Sequence, residues 1–214
     1  GHVLNGYGLA SIAADISSFD DLIAYLEILD KPHKHELLSN HISVDDIANL
    51  LKNYTFKEST WSLNYFLLKN LDVDQQSKLL ISLGDQLIKI LDNNLSNLFD
   101  VIEAITDSQL RDKLANTFEA FILSNMSFDA NELHRLKKIS AGLFRKFVHS
   151  MEPKNLTNNS FDAITSVMSD AEKRQYGAEL GVNVVTALLV KHVSEKASRT
   201  YTILEEDDVA KFVL

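Results

Sequence analysis

The sequence predicts an all-α protein made of degenerate helical-hairpin repeats, stacked either as a short solenoid or as a compact bundle. Apolar residues recur at the three- and four-residue spacing of a buried helix face through most of the 214 residues. Only 7 Gly and 2 Pro are present, and no segment longer than four residues alternates strictly enough to be a strand. These observations predict about ten helices of roughly 8 to 20 residues, joined by short polar links.

The first helices are placed by their N-caps and by the residues that end them. One helix follows Ser17 or Ser18, has Asp residues in its first turn and ends before Pro32. Another begins after Ser43. Residues 1–16 come before these helices and do not begin with Met, so we expect a flexible lead that carries a cleavage scar.

Two longer apolar runs follow. The first opens at Asp72 or Asp74 and continues past Gly84, which stands where a large apolar residue is expected. The second opens at Ser127 or Asp129, and we expect a helix with one buried stripe. The stripe residues are Leu133, Leu136, Ile139, Leu143 and Phe147.

The hairpins also resemble one another. Each has an apolar anchor before its polar turn, and a Phe-Asp pair opens three of them, at Phe19, Phe99 and Phe161. Repeats of about 34 to 42 residues made of two helices stack side by side. The alternative is a set of unrelated hairpins, since every amphipathic hairpin buries a stripe and turns. The apolar anchors of four hairpins are Leu29, Leu71, Ile105 and Val167. They lie 42, 34 and 62 residues apart, and the last gap is long enough for one more repeat of weaker similarity.

Composition excludes several classes of chemistry. The chain has no Cys, which rules out thiol catalysis, disulfides and Cys-ligated zinc. Its net charge is −9 with His neutral, which argues against nucleic acid as a partner. No apolar run approaches the roughly 20 residues that a transmembrane helix needs.

The densest group of metal-ligand side chains is His33, His35, Glu36 and His41. A zinc protease helix needs a second His four residues after the first, but position 39 is Ser, and His35 and His41 point to different sides of a helix. The sequence also lacks the nucleophile elbow, the phosphate loop and the dinucleotide-binding glycine pattern. We therefore predict no catalytic, cofactor-binding or metal-binding residues.

Cations concentrate on one stretch of this acidic chain. On one continuous helix they would share a broad outer face, suited to an acidic protein surface or to anionic lipid headgroups. The alternative is a solvated helix face whose charge is balanced by nearby acids. This cationic face consists of Arg135, Lys138, Arg145, Lys146 and His149.

The amino-acid composition changes after the predicted repeat domain, residues 17–198. The tail, residues 199–214, contains four consecutive acids and ends in apolar residues, and it is either a final half-helix on the core or a separate signal. The residues that carry the pattern are Glu205, Glu206, Asp207, Asp208, Phe212 and Leu214. This pattern resembles the translocation signals of Legionella-type effectors secreted by the Dot/Icm type IV system. The helical repeats are also similar to the helical regions of such effectors.

The resemblance implies action inside a host cell, where effectors of this class bind small GTPases, phosphoinositides or other effectors. We therefore expect a non-enzymatic interaction domain without cofactors, cytosolic or membrane-peripheral in the host, that binds a host protein or another effector. One alternative is a membrane-targeting domain that binds phosphoinositide through the cationic face, and another is a helical enzyme with no recognisable motif. Aromatic side chains are candidate contacts wherever they are not buried, namely Tyr54, Trp61 and Tyr65.

Overall fold

A computed structural model of the chain describes residues 6–52, 54, 63–152, 157–180, 186, 189–191 and 193–194. The described residues form helices joined by short links, with no strand among them, which confirms the all-α class. The chain divides into two compact units, Gly1–Ile122 and Leu123–Leu214. The arrangement of the hairpins as repeats stays a prediction.

The described part of the first unit consists of short helices, and the division between the units falls within the last of them, α10. In chain order they are α1 Gly6–Asp15, α2 Phe19–Ile28, α3 Lys31–Glu36, a π-helical turn Leu37–His41, α4 Val44–Leu51, α5 Leu63–Asn70, α6 Val73–Leu83, α7 Asp85–Ile90, α8 Leu95–Glu103, α9 Ser108–Thr117 and α10 Glu119–Asn125.

Side-chain caps begin these helices where the sequence places polar residues. The Ser18 hydroxyl accepts a hydrogen bond from the backbone N–H of Asp21 and begins α2. Ser43 and Asp72 each form a reciprocal capping box, at the starts of α4 and α6. Asp30 caps α3, which carries Pro32 in its first turn, where a missing N–H costs nothing. Local capping therefore sets where most of these helices begin.

The core of the first unit forms where neighbouring helices press their apolar faces together. Helix α4 packs on α6, α6 packs on α9, and α5 packs on α8. Phe19, Phe66 and Phe99 are fully buried, and the ring centroids of Phe19 and Phe66 lie 4.9 Å apart in an edge-to-face arrangement.

Gly84 divides the long apolar run that begins after Asp72. Its φ of +51° and ψ of −130° end α6, and α7 begins at the next residue. This backbone conformation suits glycine because a side chain there would be strained. The repeat pattern predicts a large apolar residue at position 84. The structure instead places Gly84 at a sharp turn between two helices.

The N-terminal segment differs from the flexible lead expected for residues 1–16. Residues 6–15 form α1, whose Leu9 is fully buried, and α1 packs on the π-helical turn. Leu9 therefore contributes to the core of the first unit.

Four helices of the second unit have both ends within the described residues, and residues 186, 189–191 and 193–194 are also helical. The four are α11 Ala130–Ile139, α12 Ala141–Ser150, α13 Asn158–Ser166 and α14 Asp170–Leu180. Helix α11 packs on both α12 and α13, and the rings of Phe128 and Phe147 stack with centroids 5.4 Å apart.

The buried stripe predicted for this region is confirmed, but the prediction that one helix carries the whole stripe is wrong. All five stripe residues are buried, yet Ser140 interrupts the helix with φ −152° and ψ 105°. Ser140 ends α11 and also caps α12, since its hydroxyl accepts a hydrogen bond from Leu143 N at 3.0 Å. The two halves of the stripe therefore lie on two helices with different directions.

Candidate binding pocket

A pocket of about 340 Å³ lies in the second unit, between α12, α14 and the end of α11. Its apolar wall consists of Ala141, Phe144, Val148 and Met168. Its polar wall consists of Lys137, Arg145, His149, Glu172, Gln175, Tyr176 and Glu179. Pockets that bind small ligands or single side chains combine an apolar lining with a few converging polar groups in this way.

The helix period explains which side chains reach the pocket. On α12, the lining residues lie at Ala141, Phe144, Arg145, Val148 and His149, a spacing that gathers them on one face. The same spacing recurs on α14, where the lining residues are Glu172, Gln175, Tyr176 and Glu179. Helix α12 begins after the break at Ser140, so the direction of its pocket-lining face is independent of the direction of α11.

Glu179 is the centre of an ion-pair cluster at the pocket wall. Its Oε1 accepts from the Arg145 guanidinium and from Gln175 Nε2, and its Oε2 lies 2.5 Å from His149 Nε2. The imidazole carries a positive charge only when it is protonated. Two cationic positions of α12 are therefore attached to one carboxylate of α14, 30 and 34 residues further along the chain.

A second ion pair joins α11 to the start of α14. Lys137 Nζ donates to Glu172 Oε1 at 2.7 Å and to the Val167 carbonyl at 2.8 Å. Burial alone would raise the pKa of Glu172, but hydrogen bonds from Lys137 and Ser169 and the charge of Lys137 together lower that pKa below its ordinary value. Glu172 is thus held as a carboxylate and keeps Lys137 in place.

Tyr176 lines the pocket, and its hydroxyl is buried within the protein. The residue is 3% exposed, and its hydroxyl has no hydrogen-bond partner among the described residues. Burial raises the pKa of Tyr176 to about 12, so the hydroxyl stays protonated at neutral pH and is a donor. Its ring meets His149 edge to face, with centroids 5.3 Å apart.

The structure separates the residues of the predicted cationic face. Arg145 and His149 line the pocket, whereas Lys138 and Lys146 are exposed outside the pocket lining and Arg135 is half-buried on α11. The continuous helix expected for this face is interrupted, because Ser140 places Arg135 and Lys138 on α11 and the other three residues on α12. Whether any of them binds an anion stays a prediction.

The other sequence-based candidates are not among the described residues that line this pocket. His33 pairs with Asp30 at 2.5 Å, and the described residues hold no group of three or more side chains that could bind a metal. Tyr54 is half-buried against Phe19, and Lys69 lies over the Tyr65 ring at 5.1 Å. Trp61 and the tail lie outside the described residues; the tail residues are Glu205, Glu206, Asp207, Asp208, Phe212 and Leu214.

Sequence reasoning missed four of the residues that build this pocket. The predicted candidates do not include Lys137, Glu172, Tyr176 or Glu179. The spacing of polar residues at positions 172, 175, 176 and 179 indicates that they share one face of a helix. It does not indicate which other helix packs against this face.

Comparison with known proteins adds no relative. No protein-family model, no curated protein and no solved structure matches the chain. Among the described residues, no helix combines the length and the apolarity needed to cross a membrane.

Proposed function

We propose that this chain is a protein-interaction domain whose second unit binds a partner protein through the pocket between α12 and α14. The observation that carries the proposal is the pocket itself, in which the apolar wall of Phe144, Val148 and Met168 lies beside the ion pairs of Lys137 and Arg145. Sites that bind ligands or partner side chains combine an apolar lining with a few polar groups in this way. The ion pairs around the pocket provide the polar rim that protein contact sites have around an apolar centre.

The charges of the pocket favour a protein partner over a lipid surface. Lys137 and Arg145 contribute two positive charges, and Glu172 and Glu179 contribute two negative charges, so their formal sum is zero with His149 neutral. Headgroup binding needs an excess of cations, each contributing about 1 kcal/mol near the surface. A neutral, mixed set of charges is more typical of a site that recognises a specific shape.

We also propose that the hairpins of the first unit are stacked repeats. The first helices of two successive hairpins, α5 and α8, contact each other, and so do the second helices, α6 and α9. Asn64 Nδ2 donates to the Asp100 carbonyl at 3.1 Å across 36 residues. Contacts between equivalent helices at this sequence distance are typical of repeat arrays.

The tail supports a further proposal about origin and location. Its acidic cluster and apolar end resemble secretion signals, so we propose a translocated bacterial effector that acts in the cytosol of a host cell or at the periphery of its membranes. The binding domain would then supply contact with a host protein or with another effector.

Site-specific photo-crosslinking tests the proposed binding function. A benzophenone amino acid placed at Gln175 lies in the pocket wall, and the same group placed at the exposed neighbour Arg174 lies outside the lining. We expect protein adducts from host-cell lysate at position 175 but not at position 174. The adducts should be lost when Arg145→Gln is added, because this change removes one donor of the pocket wall.

Vesicle co-sedimentation separates the alternative function. Binding to phosphoinositide vesicles that is lost in Lys138→Gln and in Lys146→Gln, together with no adduct specific to position 175, would reject the protein-binding proposal. That result would instead assign the cationic residues of α11 and α12 to a membrane surface.

A further inference from the structure

Exposed apolar side chains of the first unit gather at the hairpin of α5 and α6. Tyr65, Leu68 and Val73 are 45%, 53% and 40% exposed and lie within nine consecutive residues. Large apolar side chains scattered singly over a surface are ordinary, whereas neighbouring ones indicate a contact site. Two of the three, Tyr65 and Leu68, belong to α5.

Helix α5 has one buried face and one exposed face. Leu63, Phe66 and Leu67 are buried on the core side. Tyr65 and Leu68 are three residues apart, so the helix period makes them neighbours on the opposite side. The core side of α5 is therefore already filled by other residues, and this apolar pair faces water.

Helix α8 places acidic residues beside the exposed face of α5. The two helices pack together, and Asn64 Nδ2 donates to the Asp100 carbonyl at 3.1 Å. Asn64 lies one turn before Leu68, so Asp100 borders the side of α5 that carries Leu68. Asp100 is exposed, and Glu103 lies one turn further along α8. The apolar pair therefore has an acidic border.

We call this region the α5–α8 surface. It consists of Tyr65, Leu68, Lys69, Asp100 and Glu103.

The charge of the first unit determines which kind of partner this surface attracts. The first unit, Gly1–Ile122, contains 18 Asp and Glu against 9 Lys and Arg, whereas Leu123–Leu214 contains 12 of each. The first unit therefore carries the whole formal charge of −9. Such a charge attracts cationic partners and repels anionic lipid and nucleic acid.

The Tyr65 ring has the same preference at a smaller scale. Lys69 Nζ lies 5.1 Å from the centroid of this ring. The face of an aromatic ring attracts a cation placed over it. A partner that brings Lys or Arg to the exposed ring would be attracted in the same way.

We propose that the α5–α8 surface binds an amphipathic segment of a partner protein whose apolar side chains are bordered by Lys or Arg. Its apolar side chains cover Tyr65 and Leu68, and its cations lie against Asp100 and Glu103. The inference concerns the first unit alone and does not rest on the pocket of the second unit, so each can fail without the other.

A defined peptide tests the chemistry of this surface in the full chain. The probe is an acetylated and amidated peptide with two copies of Leu-Lys-Lys-Leu-Leu-Lys-Lys, and its matched control has Glu in place of every Lys. We expect the Lys peptide to shift the ¹H–¹⁵N signals of α5 and α8 and the Glu peptide not to bind, because like charges repel. Binding of both peptides, binding of neither, or shifts confined to other helices would overturn the proposal.

One pair of variants tests the apolar contact. Leu68→Gln should weaken binding of the Lys peptide by about fivefold, because it removes apolar area while glutamine still suits a helix. Ile28→Gln changes the last residue of α2, which is 77% exposed and outside the α5–α8 surface, and should leave binding unchanged. Equal weakening by the two changes would contradict the assignment to this surface.

A second pair tests the acidic border. Asp100→Asn should weaken binding by about twofold to threefold, as expected for an exposed ion pair. Asp92→Asn removes the same charge from the turn before α8, where asparagine also tolerates the φ of 59°, and should have a smaller effect. Unshifted signals outside α5 and α8 in the free variants establish that the fold is intact. An equal effect of both changes would mean that the peptide responds only to the net charge of the unit, and it would reject the proposed site.

Discussion

The Tyr176 hydroxyl is a buried polar group with no hydrogen-bond partner among the described residues. Placing a hydroxyl in an apolar environment without a partner costs free energy, while the ring itself contributes buried area to the contact between α12 and α14. A phenylalanine at this position would keep the buried ring and avoid the cost of the unpartnered hydroxyl.

Tyr176→Phe is expected to stabilise the unliganded protein by about 1 kcal/mol at neutral pH, because it removes an unsatisfied buried donor and keeps the ring. Urea unfolding followed by circular dichroism measures this change. Tyr65→Phe, on an exposed residue of the first unit, is the matched control and should change stability little. A loss of stability in Tyr176→Phe would mean that the hydroxyl has a partner in solution.

The same residue makes stability depend on alkaline pH. The pKa of Tyr176 is about 12 in the folded protein and has an ordinary value of 10.0, so between these values only the unfolded chain releases the proton. Stability is therefore full below pH 10 and falls as the pH rises towards 12. By pH 11 the loss should reach about 1 kcal/mol.

Tyr176→Phe lacks this proton, so its stability should fall less than that of the natural sequence between pH 8 and pH 11. The difference between the two proteins isolates Tyr176 from the lysines and other tyrosines that titrate in the same range. Parallel losses in both proteins would show that the unfolded chain and the folded protein release the Tyr176 proton at the same pH.

At the scale of single elements, two glycines have opposite roles. Gly84 lies between α6 and α7 with φ +51°, whereas Gly142 lies in the first turn of α12. A Cβ on Gly142 would come no closer than 3.9 Å to Ser140 Oγ, so there is room for it. One glycine is required by the backbone, and the other is not.

Gly84→Ala is expected to destabilise the protein by about 1 kcal/mol or more, because alanine is strained at this φ. Gly142→Ala is expected to stabilise it by up to about 1 kcal/mol, because alanine has the higher helix propensity and restricts the unfolded chain. Thermal unfolding of the two variants measures the opposite signs. Similar shifts in both would argue against a helix break at Gly84.

The elements also show how far sequence reasoning reaches. Ser18, Ser43, Asp72 and Asp129 cap helices as polar residues before apolar runs predict, since capping depends only on the next three residues. The break at Ser140 was missed because the apolar stripe continues at helical spacing across it. Periodicity indicates which side chains are buried, but it does not report a change of helix direction.

At the scale of the whole molecule, the pocket depends on pairing that the sequence does not indicate. Arg145 meets Glu179 and Lys137 meets Glu172, 34 and 35 residues apart, and no local rule selects these partners. Of the predicted cationic face, Arg145 and His149 pair with Glu179, which lies in a segment with no distinctive composition. Long-range contacts decide whether a cluster of cations is available to a ligand.

The two compact units each have their own buried core. Leu136→Ala in the second unit and Leu80→Ala in the first unit each remove a fully buried side chain and should cost about 2–5 kcal/mol locally. Hydrogen exchange should accelerate mainly in α11 to α14 for Leu136→Ala and mainly in α4 to α9 for Leu80→Ala. Uniform acceleration along the chain in both variants would show instead that the molecule unfolds as one cooperative body.

The junction at Ser140 gives a means of finding relatives that overall similarity has not supplied. Because one residue both ends α11 and begins α12, the distances along the chain from Lys137 to Ser140, Arg145 and His149 cannot change without turning some of these groups away from the pocket. Genomes can therefore be searched for Lys-x2-Ser-x4-Arg-x3-His followed by Tyr-x2-Glu. Unlike the apolar stripes, this spacing would distinguish descendants of one ancestor from unrelated helical hairpins.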